Sequence, residues 1–433
     1  KMKGAIMKKV FAFTVFLLMA ATLLFAGGAA EVTTPKKPSS LTVVIPNTTM
    51  QEPLERIFAQ FTAETGIKVE IQALPAGEEY GRLLQTRFAT KDYPDVFTMD
   101  PGVKQYTKFG VDRLHEMTGD PLFDNVLDAS LDFQLYKGKL YGAPWGGTGT
   151  YGVYYNKDVF KALGVGTPKN YNDFLSILKK AKSAGYIPIY EAAKSEWPLQ
   201  VFSLIAWPSF VDPEIGDEGV AKLEVNELRL NEIASLRDVF SRYVALRDMG
   251  LFQDGYQAGT YEEQMEFLAT GKAAVVFQIS NFIPSLIAKF GEDYVTEKIG
   301  WFPLPSDTDE GIAMLTPAHQ ILVPAGGKNI PYAMDLVRFM TKPEMQQIYF
   351  EYNTGIPVYK GVTKELLPYE KEVLAFDQRG KAKINIQNRL SSSFTDFPKI
   401  LQNLLITSNV TEALNLMDEN YRKTGNARAL PGF

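Results

Sequence analysis

The stretch Leu140–Asn156, LYGAPWGGTGTYGVYYN, decides how the rest of the chain is read. A turn at Tyr141-Gly142 leads through Pro144-Trp145 to Gly146, Gly147, Gly149 and Gly152, and the segment leaves as a β-type run from Tyr151 to Tyr155. Glycine frees the backbone and lets a second segment or a ligand come close, whereas Trp and Tyr offer flat apolar faces with polar edges. A flexible segment feeding directly into a strand is what a two-lobed protein needs where its chain passes between lobes. The plainer alternative is a glycine-rich surface loop ahead of an ordinary strand, and only the surrounding sequence separates the two.

At 433 residues the chain is long enough for two or three domains. A net charge of -5 offers no electrostatic case for nucleic acid as a partner. There is no cysteine, which excludes a disulfide framework, a thiol nucleophile and a Cys-based metal site. With only His115 and His319 as imidazoles, a His-rich zinc or iron centre is not expected, and neither is any other metal or cofactor. Lys1, Lys3, Lys8 and Lys9 precede an apolar run from Val10 to Phe25 and then Ala26-Gly27-Gly28-Ala29-Ala30, the order of a secretory signal peptide over residues 1–30. Cleavage after Ala26 or after Ala30 fits equally. The run is shorter than a membrane span of about 20 residues, and no cysteine is there to carry a lipid. Residues 31–40 read as a disordered leader, and an exported, periplasmic protein is expected.

Leu41–Ile45 is a buried strand running into Pro46-Asn47-Thr48-Thr49. Leu54, Ile57, Phe58 and Phe61 fall at helical spacing before Gly66, Lys68–Leu74 alternates as a second strand, and Tyr80, Leu83, Leu84 and Phe88 mark a second helix. Pro94–Asp100 is a third strand ending in an acid. This β-α-β-α-β order calls for a parallel sheet with helices on its faces, and ligands gather beyond the carboxyl ends of such strands. That rule brings Asn47, Thr48 and Asp100 to one place. Later the pattern predicts a helix after Thr167-Pro168, a brief strand at Tyr186–Tyr190, a long helix over Leu228–Met249 and another over Tyr261–Leu268. Buried strands are expected at Gly271–Gln278 and Ile299–Pro305, an extended segment at Ile312–Val323, and a two-piece helix over Tyr332–Tyr349 divided at Thr341-Lys342-Pro343. A tight crossing at Asn353–Val358 precedes a mostly helical remainder.

In this order the chain resembles the extracellular solute-binding proteins of bacterial ABC importers, in the sugar-binding, maltose-binding-protein-like branch. The residues that carry the resemblance include Phe58–Phe61 with Thr65–Val69, Pro94-Asp95-Val96, Tyr141–Trp145, Tyr154–Asp158, Gly271–Val275, Trp301–Pro305, Thr341–Glu344 and Thr354–Pro357. The resemblance implies two α/β lobes joined by crossover hinge segments and closing around a solute in the cleft. It implies crossings at Gly146–Gly149, Ser306–Leu315 and near Gly355. The first lobe then comprises residues 41–148 and 314–356, and the second residues 149–313 and 357–433.

A sugar presents hydroxyls at its edge and C–H groups on its faces, so its site needs aromatic platforms and forked polar groups. Trp145, in the crossing, is the first candidate platform, with hinge core as the alternative. Trp197 is the second, whereas Trp207 and Trp301 read as core. Asp100, Asn47 and Thr48 are candidate hydroxyl partners, and each also suits a cap or turn. His319 lies on the segment re-entering the first lobe, where a structural histidine is the alternative, and Tyr151 opens the strand after the glycines. Sugar binders of the family often carry a tryptophan after the strand matching Gly271–Gln278. Here Ile279-Ser280-Asn281-Phe282 stands instead, leaving Asn281 to fork and Phe282 to stack.

The expected function is capture of a mono- or oligosaccharide by a monomeric binding protein and its delivery to membrane permease subunits, without catalysis. One alternative keeps the fold and changes the solute to a polyol, sugar phosphate, peptide or polyamine. A less favoured one is a secreted glycosidase with two carboxylates; no nucleophile elbow, phosphate loop or metal-ligand spacing supports an enzyme.

Overall fold

The computed structural model describes residues 36–433 apart from Pro101, Asp132 and Phe133. The signal-peptide segment 1–30 lies outside the described residues. Strand β1 (Ser40–Pro46) starts one residue earlier than the leader reading allowed, and Leu41, Val43, Val44 and Ile45 along it are fully buried. Burial on both faces is the mark of a parallel strand covered by helices on each side.

Helix α1 (Glu52–Thr65) carries Pro53 in its first turn and ends on Gly66 at φ 72°, a left-handed cap that suits glycine. Next come β2 (Lys68–Leu74), α2 (Glu78–Ala89), β3 (Val96–Met99) and α3 (Lys104–Phe109). Strand β4 (Gly142–Trp145) and the later β10 (His319–Leu322) complete a sheet of order β2-β1-β3-β10-β4, in which β10 runs antiparallel to both neighbours. Alternate residues feed two cores. Val43, Ile45, Val96 and Ile321 pack with α1 and with α7 (Ile330–Met340) and α8 (Pro343–Phe350), while Val44, Phe97 and Leu322 pack with α2 and α3.

The second sheet is built around β5 (Gly147–Asn156), a strand of 10 residues. Its main path is β12-β9-β5-β7-β6, formed by β6 (Ile187–Ile189), β7 (Ala273–Ile279), β9 (Ala313–Thr316) and β12 (Ala382–Ile384). Two more strands, β8 (Ile299–Phe302) and β11 (Ile356–Pro357), pair with β5 away from that path. Val153 and Phe277 enter one core and Tyr154 and Val276 the other. The molecule is therefore a mixed α/β structure with two sheet-containing lobes.

Two expectations are corrected by this topology. The extended segment Ile312–Val323 is two strands in different sheets, and the chain passes between lobes at Pro317-Ala318, later than Ser306–Leu315. Proline at 317 lacks the N–H that an unbroken ladder needs. The helix expected over Leu228–Met249 is confined to Ala234–Asp248, because Ile233 is extended and the Leu230 N–H donates to the Asp418 carboxylate at 3.0 Å. The C-terminal remainder is mostly helical, as expected, with Ala382–Ile384 adding one short strand beside β9. At the third passage, Ile356 and Pro357 pair with Thr148 and Gly147, yet Val358 and Tyr359 still belong to the first lobe's core. Among the described residues no helix is long and apolar enough to cross a membrane.

Candidate functional site

One row of residues crosses the edge of the first sheet. The parallel register Val44↔Phe97, carried from 44 to 47 and from 97 to 100, sets Asn47 opposite Asp100. The antiparallel pair Gln320↔Met99, moved one residue outward, sets His319 opposite Asp100, and His319 in turn pairs with Trp145. Asn47, Asp100, His319 and Trp145 are far apart in sequence, yet Asn47 and Asp100 stand just past the ends of β1 and β3, and His319 and Trp145 on the neighbouring β10 and β4. Register, not proximity in the chain, assembles this side of the site.

The four side chains behave differently. Asp100 and His319 are open to solvent, with 74% and 54% of their side chains exposed, and His319 Nδ1 lies 3.6 Å from an Asp100 oxygen. Both can therefore turn toward a solute. Asn47 uses its side-chain oxygen to accept the Ala76 N–H at 3.1 Å, so half of its fork serves the turn, and Thr48 beside it is exposed. Trp145 is 3% exposed and meets Tyr349 edge-on at 5.0 Å. It lies at the edge as packed aromatic mass, with little face open.

The second lobe meets this row through Tyr151. Burial pushes the Tyr151 hydroxyl above its ordinary pKa, the nearby Asp100 charge pushes the same way, and a hydrogen bond with Asn385 partly offsets both. Tyr151 on β5 thus lies within reach of the Asp100 charge. Asn385 opens a polar run the sequence reading missed, Asn385-Ile386-Gln387-Asn388 in helix α10 (Ile386–Arg389). Asn388 Nδ2 lies 3.5 Å from the Thr316 hydroxyl, and Gln387 donates to the Gln200 side chain at 3.0 Å. Three amides in four residues were the available signal, hidden because the segment reads as a short helix.

Trp197 sits half-buried one helical turn before Gln200, with Tyr261 at 5.2 Å between ring centroids. Glu196 ahead of it has φ 58° and ψ −65°, a strained conformation for a residue with a side chain. Asn281 is exposed just past the end of β7, where Ile279 pairs with Tyr151. Phe282 does not stand at the site. It is fully buried, meets Tyr154 edge-on at 4.8 Å and belongs to the core beneath the sheet, because the 3-10 turn after β7 points it inward. The structure therefore brings together Asp100, His319 and Tyr151, with Asn47, Thr48 and Trp145 on the same edge and Trp197 and Asn281 on the second lobe.

Chemically, this is an arrangement of carboxylate, imidazole, phenol and amides with aromatic rings nearby. It can accept and donate hydrogen bonds to several hydroxyls at once.

The profile of a family described as bacterial extracellular solute-binding protein matches residues 47–347. The multiple sugar-binding protein of Streptococcus mutans serotype c is 24% identical over 325 residues, covering 73% of this chain and 74% of that one. Among solved structures, a solute-binding protein in complex with raffinose superposes with a TM-score of 0.77 at 20% identity, over 89% of this chain and 100% of the other. A chitin oligosaccharide binding protein superposes with a TM-score of 0.75 at 21% identity, over 90% of this chain and 100% of the other. At such identities the structural likeness speaks for the fold.

Proposed function

The chain belongs to the bacterial extracellular solute-binding protein family, and from that premise we propose that it captures a mono- or oligosaccharide between its lobes and delivers it to the permease of an ABC importer. The observation that carries the proposal is the polar row on the first sheet, Asp100 and His319 above all, whose Asp100 charge reaches Tyr151 of the second lobe, with the Asn385–Asn388 amides beside Tyr151 and Thr316. Hydroxyl-rich solutes need such convergent donors and acceptors, and Trp197 with Tyr261 supplies an aromatic flank. The sugar-related names of the relative and of both structural neighbours support the same solute class.

We set the hinge at Gly146, Pro317-Ala318 and the segment beyond Tyr359, close to the division of 41–148 with 314–356 from 149–313 with 357–433. The protein acts by affinity and closure, without turnover, after export to the periplasm as a monomer. A solute closes the lobes only to the extent that it touches both of them. A second reading keeps this site but replaces the sugar by a polyol, sugar phosphate, peptide or polyamine. The absence of an indole at Ile279–Phe282 favours it.

A thermal-shift screen over mono- and oligosaccharides, polyols, amino acids, peptides and polyamines tests the proposal. Saturating ligand at a hundredfold excess over Kd adds about 2.7 kcal/mol of stability. A shift with at least one carbohydrate, and no product formed, is expected. Shifts confined to non-carbohydrates would overturn the solute class, and release of a cleavage product would overturn the binding role.

A further inference from the structure

We propose that Arg428 is an interlobe clasp, a positioning residue that holds the two lobes together before any solute arrives. Arg428 caps helix α12 (Val410–Ala427) on the second lobe. Its position is fixed by a Schellman turn: Leu430 N–H donates to the Gly425 carbonyl at 3.0 Å, Ala429 N–H donates to the Asn426 carbonyl at 3.0 Å, and Ala429 takes φ 49°. Phe433 folds back to within an added methyl's reach of Gly425 and packs edge-on against Tyr421, pinning the tail to the second lobe's core.

From this anchored position the guanidinium reaches across to the first lobe. One nitrogen donates to the Ser391 carbonyl at 2.8 Å, the Lys104 carbonyl at 3.3 Å and the Thr107 hydroxyl at 3.4 Å, and the other donates to the Ser393 hydroxyl at 3.0 Å. Ser391 and Ser393 flank Leu390 and Phe394 of the second lobe's core, whereas Lys104 and Thr107 lie on α3, whose Tyr106 and Phe109 belong to the first. Thr107 adds its own bridge, donating to the Ser391 carbonyl at 2.9 Å. Nearby, Gly102 at φ 104° lets the first lobe's backbone lie against Asn388, where a Cβ would stand only 3.0 Å from the Asn388 Cα. The planar fork of arginine suits several oxygens at fixed angles, which a lysine ammonium on a flexible stem cannot reproduce.

These contacts do not involve the Asp100–Tyr151 cluster, so the clasp biases closure without contacting solute. Small-angle X-ray scattering on purified, solute-free protein tests it, comparing wild type with Arg428→Ala, Arg428→Lys and, from the opposite lobe, Thr107→Val. Circular dichroism confirms that each variant is folded. Loss of a charge-assisted hydrogen-bonded group lowers the closed-to-open ratio about tenfold. The clasp predicts a larger radius of gyration in both Arg428 variants, a smaller increase in Thr107→Val, and less than the sum of the two when Arg428→Ala and Thr107→Val are combined. Scattering from folded Arg428→Ala that superimposes on wild type would overturn the proposal, as would a Thr107→Val effect that simply adds. Because no solute is present, this outcome is independent of which solute the protein takes.

Discussion

Glu191 follows β6 into the interior, where it is 1% exposed and accepts the Tyr243 hydroxyl at 2.9 Å. Burial pushes its carboxyl up to about 8, while the Tyr243 and Ala192 hydrogen bonds pull the other way. Folded Glu191 therefore keeps its proton up to about pH 8, whereas in the unfolded chain it is lost near the ordinary 4.5. Between these values the folded state binds the extra proton. Glu191's share of stability is complete below pH 4.5 and falls by about 1.4 kcal/mol per pH unit as pH rises toward 8, then levels off. Glu191→Gln removes this titration. The difference in Tm between Glu191→Gln and wild type should grow in the variant's favour from pH 5 to pH 8, as followed by thermal denaturation; a constant difference contradicts the neutral carboxyl. At this scale the sequence is an uneven guide. The neighbourhood of Asn47 and Asp100 was legible because strand ends gather at one edge. Phe282 was not, since the two-residue difference between facing the cleft and facing the core depends on a 3-10 turn that no periodicity announces.

Elements explain why the first and third passages lie side by side. Gly147 starts β5, and a Cβ there would come within 2.8 Å of the Ile356 carbonyl, so the first and third passages can lie together only with glycine at this point. Gly355, at φ 117°, gives both its backbone groups to a buried ion pair: its N–H donates to Glu370 at 2.6 Å and its carbonyl accepts from Lys364 at 3.3 Å. Lys364 and Glu370 meet at 2.6 Å with 10% and 2% of their side chains exposed, and Glu370 also receives the Leu367 N–H as α9 (Pro368–Gln378) begins. Removing one partner of such a pair strands a buried charge, at a cost of roughly 3–5 kcal/mol. Lys364→Met should therefore lower unfolding free energy by about 3 kcal/mol or more in a urea titration. Adding Glu370→Gln to it should recover part of that loss, and a double variant as unstable as the sum of the single ones contradicts the linkage. Long amphipathic helices and alternating strands were legible from spacing, as at Lys68–Leu74. The brief strand at Ile187–Ile189 and the break at Thr341-Lys342 were legible too, but the strand at Ala382–Ile384 was not, nor that Pro317 alone divides one extended run between two sheets.

At the scale of the whole molecule, two sheets meet through passages that are short and glycine- or proline-marked, and the Asp100 charge of one is felt at Tyr151 of the other. The two-lobed plan was legible through the family resemblance carried by motifs along the whole chain, with LYGAPWGGTGTYGVYYN among them. The second lobe's amides were not, because only the closed topology carries Asn385 and Asn388 to Tyr151 and Thr316. Isothermal titration calorimetry of the carbohydrate that shifts the melting temperature, against wild type, Asp100→Ala and Tyr151→Phe, tests the central claim that a sugar is gripped by both lobes. Saturable one-to-one binding to wild type is predicted, with affinity at least about tenfold weaker in each folded variant, the loss of one good hydrogen bond to a bound hydroxyl. Unchanged affinity in both variants, or binding by non-carbohydrate solutes alone, would contradict it.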